Sequence, residues 1–308
     1  MTVAHELDRP HPQGGPRCST GSALRGESLA ATASLGRRWL LIEIAGAWGW
    51  SAFFDSPAID PALARAIVQR VEGEGMRVTA IRRPGRARGS GRWRWALVDT
   101  ARATIVRGEC RTPEEFLELP LDGSSASGWP GVADDSPLVA VCANGRHDEC
   151  CAVRGRRVAS ELSEWFPDET WECSHIGGDR FAATMLLFPH GLNYGRVDHE
   201  DAPAIVGRYL EGRVAPDGYR GRTSFDRIVQ AAQHAARTQL GDDRIDAYPP
   251  IATVATDDGW RVELAAGSAT VVVEVAEGTT SPLFTTCEAT RAVPIRQYAA
   301  TGLEVRRR

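Results

Sequence analysis

The sequence predicts an α/β fold in which two segments share the element order βαβββα and a small α+β extension follows them. Three observations support this prediction: apolar runs of strand length, capping signals at the helix starts, and a Gly/Ser/Pro-rich stretch between the two segments. The chain has 308 residues, enough for about two domains. Its 43% hydrophobic and 25% charged residues are close to the globular average and exclude disordered, collagen-like and membrane classes.

The first segment, residues 21–121, contains two helix starts with a physical signal. Asp60 is followed by Pro61, an N-cap and first-turn proline pair, and Thr112 begins a capping box that ends at Glu115. Apolar runs before, between and after these signals predict strands. The predicted strands are 39–44, 77–81, 93–99 and 103–107, and the predicted helices are 60–72 and 112–119.

The second segment, residues 138–214, repeats this order. Its last two strands form a hairpin across residues 189–191, and its last helix carries Pro203 in the first turn. The predicted strands are 138–142, 170–176, 181–188 and 192–197, and the predicted helices are 153–165 and 202–210. The shared order is what two thioredoxin-like βαβββα domains in tandem would give, with neighbouring strands side by side and helices on both faces.

The rest of the chain is predicted to be a tail, a linker and an extension. Residues 1–20 are expected to form a disordered N-terminal tail, and residues 122–137, which show no helical or strand period, an interdomain linker. Residues 215–308 are expected to form a C-terminal helix and a small antiparallel sheet. The helix is predicted at 226–237 and the strands at 260–265, 270–275 and 294–298.

The composition excludes several classes of function. All 36 basic residues are arginines, so every mechanism that needs a lysine amine is excluded, including Schiff bases and the P-loop lysine. The net charge of -4 provides no basic field for nucleic acid or anionic lipid. The motifs of dinucleotide-binding folds, serine hydrolases, zinc proteases and Cys-x-x-Cys oxidoreductases do not occur.

Targeting signals are not evident either, so we expect a cytoplasmic protein that binds neither membranes nor nucleic acids. The N-terminal residues contain no apolar signal-peptide core, and no run of about 18 apolar residues could span a bilayer. In a reducing compartment the seven cysteines are expected to be metal ligands, redox thiols or packed thiols rather than disulfides.

Soft metal ligands concentrate within 38 residues of the second segment. Cys142 ends one predicted strand, Cys150 and Cys151 follow it, and Cys173 and His175 end the next strand. The ends of these two strands should lie side by side, so both clusters should meet at one edge. The glycines after His175, at 177 and 178, would let the backbone approach a bulky inorganic group.

Three passages, residues 141–151, 173–182 and 189–197, carry a resemblance to a known family. With weaker support from residues 17–19 and 37–43, they make the chain similar to the sucrase/ferredoxin-like family. The resemblance implies a thioredoxin-like ferredoxin whose 2Fe-2S cluster is bound by two cysteines eight residues apart and by a His-x-Gly-Gly-His motif. The cysteines correspond to Cys142 and Cys151 and the first histidine to His175, but Asp179 stands at the second histidine position.

This departure leaves the fourth ligand open. Asp179 could bind, Cys173 or Cys150 could take its place, or the chain could hold no cluster. Between the two cysteines, Cys173 is favoured because it shares a strand face with His175, whereas adjacent side chains such as those of Cys150 and Cys151 diverge. The other cysteines are expected to pack in the core, and three histidines are expected to face solvent. These residues are Cys18, Cys110 and Cys287, and His147, His190 and His199.

The sequence therefore predicts an iron-sulfur protein in electron transfer or redox response, with a protein redox partner that the sequence does not identify. It is expected to be an electron carrier rather than a catalyst, and no glycosidase machinery supports the word sucrase. One alternative is a structural zinc module that uses Cys142, Cys151, Cys173 and His175. The other is a thiol oxidoreductase that uses the vicinal Cys150 and Cys151.

Overall fold

A ten-stranded mixed sheet and a four-stranded antiparallel sheet organise the chain in the computed structural model, which describes residues 14–85, 91–121 and 131–307. The large sheet contains β1 Arg38–Glu43, β2 Arg77–Arg82, β3 Trp93–Asp99, β4 Thr104–Cys110, β5 Gly131–Ala133, β6 Leu138–Cys142, β7 Thr170–Cys173, β8 Met185–Phe188, β9 Leu192–Tyr194 and β10 Tyr219–Arg222. The small sheet contains β11 Pro250–Thr256, β12 Gly259–Ala266, β13 Ala269–Thr279 and β14 Arg296–Arg307. The α-helices are α1 Cys18–Leu24, α2 Pro61–Gly73, α3 Arg156–Trp165, α4 Ala202–Leu210 and α5 Arg227–Leu240.

The strands of both predicted segments belong to one sheet, with the order β10-β9-β8-β6-β7-β2-β1-β3-β4-β5. Each half has a parallel pair, β1 with β2 and β6 with β7, flanked by an antiparallel strand. The halves join where β2 and β7 pair antiparallel, with Ile81 opposite Cys173. The α/β class is confirmed, but two tandem thioredoxin-like domains are not, because main-chain hydrogen bonds continue from one half into the other.

Several predicted boundaries differ from the structure. Residues 18–20, expected in the N-terminal tail, belong to α1, and residues 131–133 of the expected linker form β5, which pairs with β4. Residues 122–130 of the predicted linker and residues 1–13 of the predicted tail lie outside the described residues. The predicted helix 112–119 is a 3-10 helix, Pro113–Leu117, because Pro120 restricts the residue before it and stops helical propagation.

Different groups of side chains pack against the two faces of the large sheet. On one face, β1 packs against α2 through Leu40, Ile42 and Ile67, and the second half packs against α3 and α4. The opposite face holds a buried cluster that includes Trp39 and Phe188 and six of the seven cysteines. Those cysteines are Cys18, Cys142, Cys150, Cys151, Cys173 and Cys287. Nearly all the thiol chemistry of the chain is therefore on one side of one sheet.

The C-terminal part forms its own layer. Helix α5 is capped by Asp226, the first residue of the predicted helix, whose carboxylate accepts from the Val229 amide at 2.9 Å. The alanines of α5 pack against the small sheet. The segment between β13 and β14 returns to the large sheet, where the amide of Cys287 donates to Asp148. This return places a C-terminal cysteine beside the predicted ligand region. None of the helices within the described residues has the length and apolarity needed to cross a membrane.

His190, expected to face solvent, is partly buried at the β8–β9 turn, where its Nδ1 lies 2.8 Å from the hydroxyl of Tyr209. Burial, followed by the charge of Arg222, lowers the pKa of His190 from 6.5 to about 4. At pH values between about 4 and 6.5, His190 binds a proton more readily in the unfolded chain than in the folded protein. The stability that neutral His190 contributes is therefore fully present above pH 6.5 and is lost as the pH falls toward 4.

We expect His190→Gln to reduce the loss of stability on acidification, by up to about 1.4 kcal/mol per pH unit, because glutamine can reach Tyr209 without titrating. Urea unfolding of both proteins at several values between about pH 7 and pH 5 measures this difference. Two stability profiles that remain parallel over this interval would show that His190 is not the responsible group.

Candidate metal centre

The first site residues are positioned by the end of β6 and the helical segment that returns against it. Cys142 is the last residue of β6, and Cys151 begins a π-helical turn that leads into α3. A Cβ at Gly155 would lie 1.9 Å from the carbonyl oxygen of Cys142, so only glycine permits this approach. The turn thereby brings Cys151 back to the strand end that carries Cys142.

Four predicted ligands meet at this edge of the sheet. The Cys151 thiol donates to Oδ1 of Asp179 at 3.2 Å, and Nδ1 of His175 lies 3.0 Å from the same oxygen. The Cys142 sulfur lies beside the Cys151 thiol and the His175 imidazole, both of which lower its pKa. Cys142 and Cys151 are 1% exposed and Asp179 is 4% exposed, so three of the four groups are out of water.

The charges of these four groups are coupled. Hydrogen bonds from Cys151 and His175 outweigh burial and lower the pKa of Cys142 to about 5, so its thiolate forms readily. Burial opposes the charged form of His175, but the negative Asp179 and Cys142 beside the ring raise its pKa to about 10. Burial likewise opposes the charge of Asp179, and His175 with Cys151 lowers the pKa of this carboxyl below its usual value. The group thus stabilises the thiolate of Cys142 and the carboxylate of Asp179, whereas the hydrogen bond with Cys142 and burial raise the pKa of Cys151.

The hydrogen bonding of the His175 imidazole indicates whether these four residues could bind a metal. Among the described residues, the buried Nδ1 of His175 has no hydrogen bond of acceptable direction, although Asp179 is close. A buried ring nitrogen without a hydrogen bond is costly, but as a metal ligand it would be satisfied. Together with two thiols and a carboxylate, it forms a donor set that fits a soft metal centre.

The loop between His175 and Asp179 is held from below by Arg220. Gly177 and Gly178 have φ values of +91° and +94°, a left-handed conformation that favours glycine. The guanidinium of Arg220 donates to the carbonyl of Gly177 at 3.0 Å, and a Cβ at Gly178 would lie 2.6 Å from it. Its remaining bonds go to Asn193 and to the side chain and carbonyl of Thr32. Burial lowers the pKa of Arg220 to about 9.

His147, expected to face solvent, lies at the site instead. Its ring stacks on that of His175 with centroids 3.9 Å apart, and its Nε2 is 3.9 Å from Oδ2 of Asp179. The indole of Trp50 lies next to His147, with ring centroids 4.9 Å apart, and Trp50 is 59% exposed. His147 therefore covers one face of the His175 ring, although the His175 side chain is still 31% exposed. His147, His175 and Asp179 could together hold a metal ion.

The two proposed substitutes for the fourth ligand have different positions, Cys173 beside Cys142 and Cys150 in another group of side chains. Cys173 is fully buried on β7 in register with Cys142, and burial, followed by the charge of Cys142, raises its pKa. Cys150 points away from Cys151, as expected for adjacent residues, and joins a different group of side chains. The structure therefore brings Asp179, rather than Cys150, to Cys151.

That second group consists of Cys18, Asp148, Cys150 and Cys287. Their ligand atoms all lie within 4.8 Å of one another, and all four residues are buried. The sulfur of Cys287 is 3.1 Å from that of Cys150 and 3.4 Å from that of Cys18. This buried Cys/Asp cluster could hold a metal ion.

Sequence reasoning missed this second group, since Cys18 and Cys287 were expected to be packed thiols. They lie 132 and 137 residues from Cys150 in the chain, and no spacing motif links positions so far apart. The pKa of Cys150 falls well below its ordinary value because Cys18 and Cys287 hydrogen bond to its thiolate. Burial raises the pKa of Asp148 to about 6. Cys110, the remaining cysteine, lies in the other core cluster, as expected.

A mixed sheet with buried cysteine and aspartate and partly buried histidine side chains gathered at its strand ends defines a candidate metal-binding protein. The sucrase/ferredoxin-like family matches residues 33–221, more than half of the chain, and the chain belongs to this family. No curated protein and no solved structure matched the chain. The matched residues include the first group, together with Asp148 and Cys150, but neither Cys18 nor Cys287.

We expect Arg220→Met to lower the free energy of unfolding of the metal-free protein by about 3 kcal/mol, because buried carbonyls at Thr32 and Gly177 would lose their charged donor. Urea unfolding measures the change, and Arg227→Gln, an exposed arginine at the start of α5, serves as the control. Equal stability of Arg220→Met and the unsubstituted protein would show that the loop does not depend on this arginine.

Proposed function

We propose that this chain is a 2Fe-2S protein that serves in electron transfer or redox response, with Cys142, Cys151, His175 and Asp179 as the cluster ligands. The observation that carries the proposal is the meeting of these four side chains at one strand edge. The repeated strand order, β2-β1-β3-β4 in one half and β7-β6-β8-β9 in the other, also leads us to propose that each half is thioredoxin-like.

The ligand chemistry supports a cluster in this place. Thiolates are the usual protein ligands of iron-sulfur clusters, and histidine nitrogens replace some of them in centres of higher potential. The lowered pKa of Cys142 makes its thiolate available near neutral pH. Asp179 occupies the position that the family resemblance assigns to a second histidine. As an anionic oxygen ligand it adds negative charge, which favours the oxidised state.

The surroundings limit that extra charge. Arg220 lies under the loop and is influenced by the charges of both Asp179 and Cys142. Arg180 follows Asp179 directly, but its guanidinium pairs with Glu27 at 2.6 Å and is therefore partly neutralised. Arg220 is consequently the cation best placed to offset the carboxylate, because its own hydrogen bonds go to neutral acceptors.

A bound 2Fe-2S cluster would supply one-electron exchange without proton transfer by the protein. Cys142, Cys151, His175 and Asp179 would hold it, and the surrounding residues would set its electrostatic environment. His147 and Trp50 cover the His175 side of the group, and Trp50 reaches the surface. This exposed indole supports a contact with a protein redox partner at that edge.

The thiol oxidoreductase alternative has little support in the geometry. A vicinal dithiol mechanism requires both sulfurs to face one substrate, whereas Cys150 contacts Cys18 and Cys287, and Cys151 contacts Asp179. Both thiols are also buried, at 2% and 1% exposure, so a disulfide substrate would not reach them in this conformation.

We expect protein purified without oxygen, or reconstituted with iron and sulfide, to be coloured and to contain about two irons and two sulfides per chain. Cys151→Ala should lose both, because it removes a cluster thiolate. Cys110→Ala, a buried cysteine outside both groups, should keep both. Iron and sulfide analysis, together with visible spectroscopy, measures the cluster content of the three proteins. Colourless protein after reconstitution would contradict the cluster. Zinc that is present without sulfide and is lost in Cys151→Ala would favour the structural zinc module.

The fourth ligand is tested by paired substitutions. Asp179→His should retain iron and sulfide and raise the reduction potential, because a neutral imidazole replaces a carboxylate. Cys173→Ala should leave the iron content unchanged, whereas Asp179→Ala should lower it. Redox titration and iron analysis measure these effects. Loss of iron in Cys173→Ala but not in Asp179→Ala would assign the fourth position to Cys173.

A further inference from the structure

We propose that Cys18, Cys150, Cys287 and Asp148 form a second site that binds a single zinc ion in tetrahedral coordination, separate from the proposed cluster. Three thiols and one carboxylate meet in a buried space, and each could contribute one ligand atom. Three sulfurs and one oxygen are a donor set of the kind that structural zinc sites use.

The spacing of the sulfurs favours one ion over a cluster. With Zn–S bonds of about 2.3 Å, tetrahedral ligands that share an ion have sulfurs about 3.8 Å apart. The Cys18 and Cys150 sulfurs are 3.8 Å apart, and Cys287 lies 3.4 and 3.1 Å from them. In an iron-sulfur cubane each cysteine binds a different iron, so its sulfurs would lie farther apart than sulfurs that share an ion. The group is compact enough for a single metal ion.

Asp148 completes the set and is held in place by the backbone. Its Oδ1 accepts from the amide of Cys150 at 2.8 Å, and its Oδ2 accepts from the amide of Cys287 at 2.7 Å. The same Oδ2 lies 3.8 Å from the Cys18 sulfur, and a carboxylate oxygen has a second lone pair for a metal. These amide bonds orient the carboxylate, as outer hydrogen bonds commonly do at metal sites.

The ligands come from three distant parts of the chain. Cys18 begins α1, Asp148 and Cys150 follow β6, and Cys287 lies between β13 and β14. Zinc would therefore join the N-terminal helix, the large sheet and the C-terminal segment at one point, and its binding free energy would add to that of folding. The side chain of Arg17, which pairs with Glu149, lies near Cys150 and Cys287.

The two proposed sites can be tested separately, because Cys150 belongs to the zinc site and Cys151 to the cluster site. Full-length protein purified without oxygen from medium that contains zinc and iron is analysed for zinc, iron and sulfide. We expect about one zinc per chain. Cys287→Ala should lose zinc and keep iron and sulfide, Cys151→Ala should show the reverse, and Cys110→Ala should keep all three.

Cobalt gives a spectroscopic readout of the second site when the first group is disabled. Metal-free Cys151→Ala, which lacks a thiolate of the first group, should develop thiolate-to-cobalt absorption and the intense visible bands of a tetrahedral site when it is titrated with Co²⁺, and these bands should saturate at about one equivalent. Adding Zn²⁺ should abolish these bands. In Cys18→Ala they should weaken and change shape, since one thiolate is removed.

Three results would overturn the zinc site. One is neither zinc nor a tetrahedral cobalt spectrum in the unsubstituted protein. Another is iron and sulfide above two per chain that fall in Cys287→Ala, which would indicate a second cluster. The third is an intact mass lower by two hydrogens together with a proteolytic fragment that links Cys150 to Cys287, which would show that these two cysteines form a disulfide. Zinc without iron would instead remove only the proposed 2Fe-2S function.

Discussion

The parallel pairing of β6 and β7 is the constraint on which the first site depends. In a parallel pair both strands end at the same edge, and Cys142 stands in register with Cys173 at that end. The loop that follows β7 therefore has to pass the loop that follows β6. His175 and Asp179 reach Cys142 and Cys151 through this topology, although 28 residues separate Cys151 from Asp179.

Burial gives these contacts their strength. Away from water, a thiolate or carboxylate interacts strongly with each donor and charge around it, and an unpaired one is costly. Neighbouring groups offset this cost. At the first site His175 faces Cys142 and Asp179, and Arg220 donates to the loop. At the second site backbone amides donate to both oxygens of Asp148. Close contact is possible because Gly155 lets the π-helical turn approach β6.

Local elements were predictable where residues near in sequence decide them. The strands at 93–99 and 138–142 and the helix at 202–210 have the predicted bounds, and Asp60 caps its helix with bonds to the Ala62 and Leu63 amides. The predicted strand 181–188 starts only at Met185, because Asp179–Phe181 forms a 3-10 turn after Gly178 in left-handed conformation. Apolar character alone does not distinguish such a turn from a strand.

By itself the sequence determined the α/β class and most strands and helices, because capping and periodicity act over a few residues. The resemblance to the family indicated Cys142, Cys151 and His175 as ligands and left the fourth ligand open. Only the tertiary structure decided that both halves share one sheet, that His147 stacks on His175, and that Cys18 and Cys287 meet Cys150. Contacts over more than a hundred residues leave no periodic signal, since they arise only when separate elements pack together.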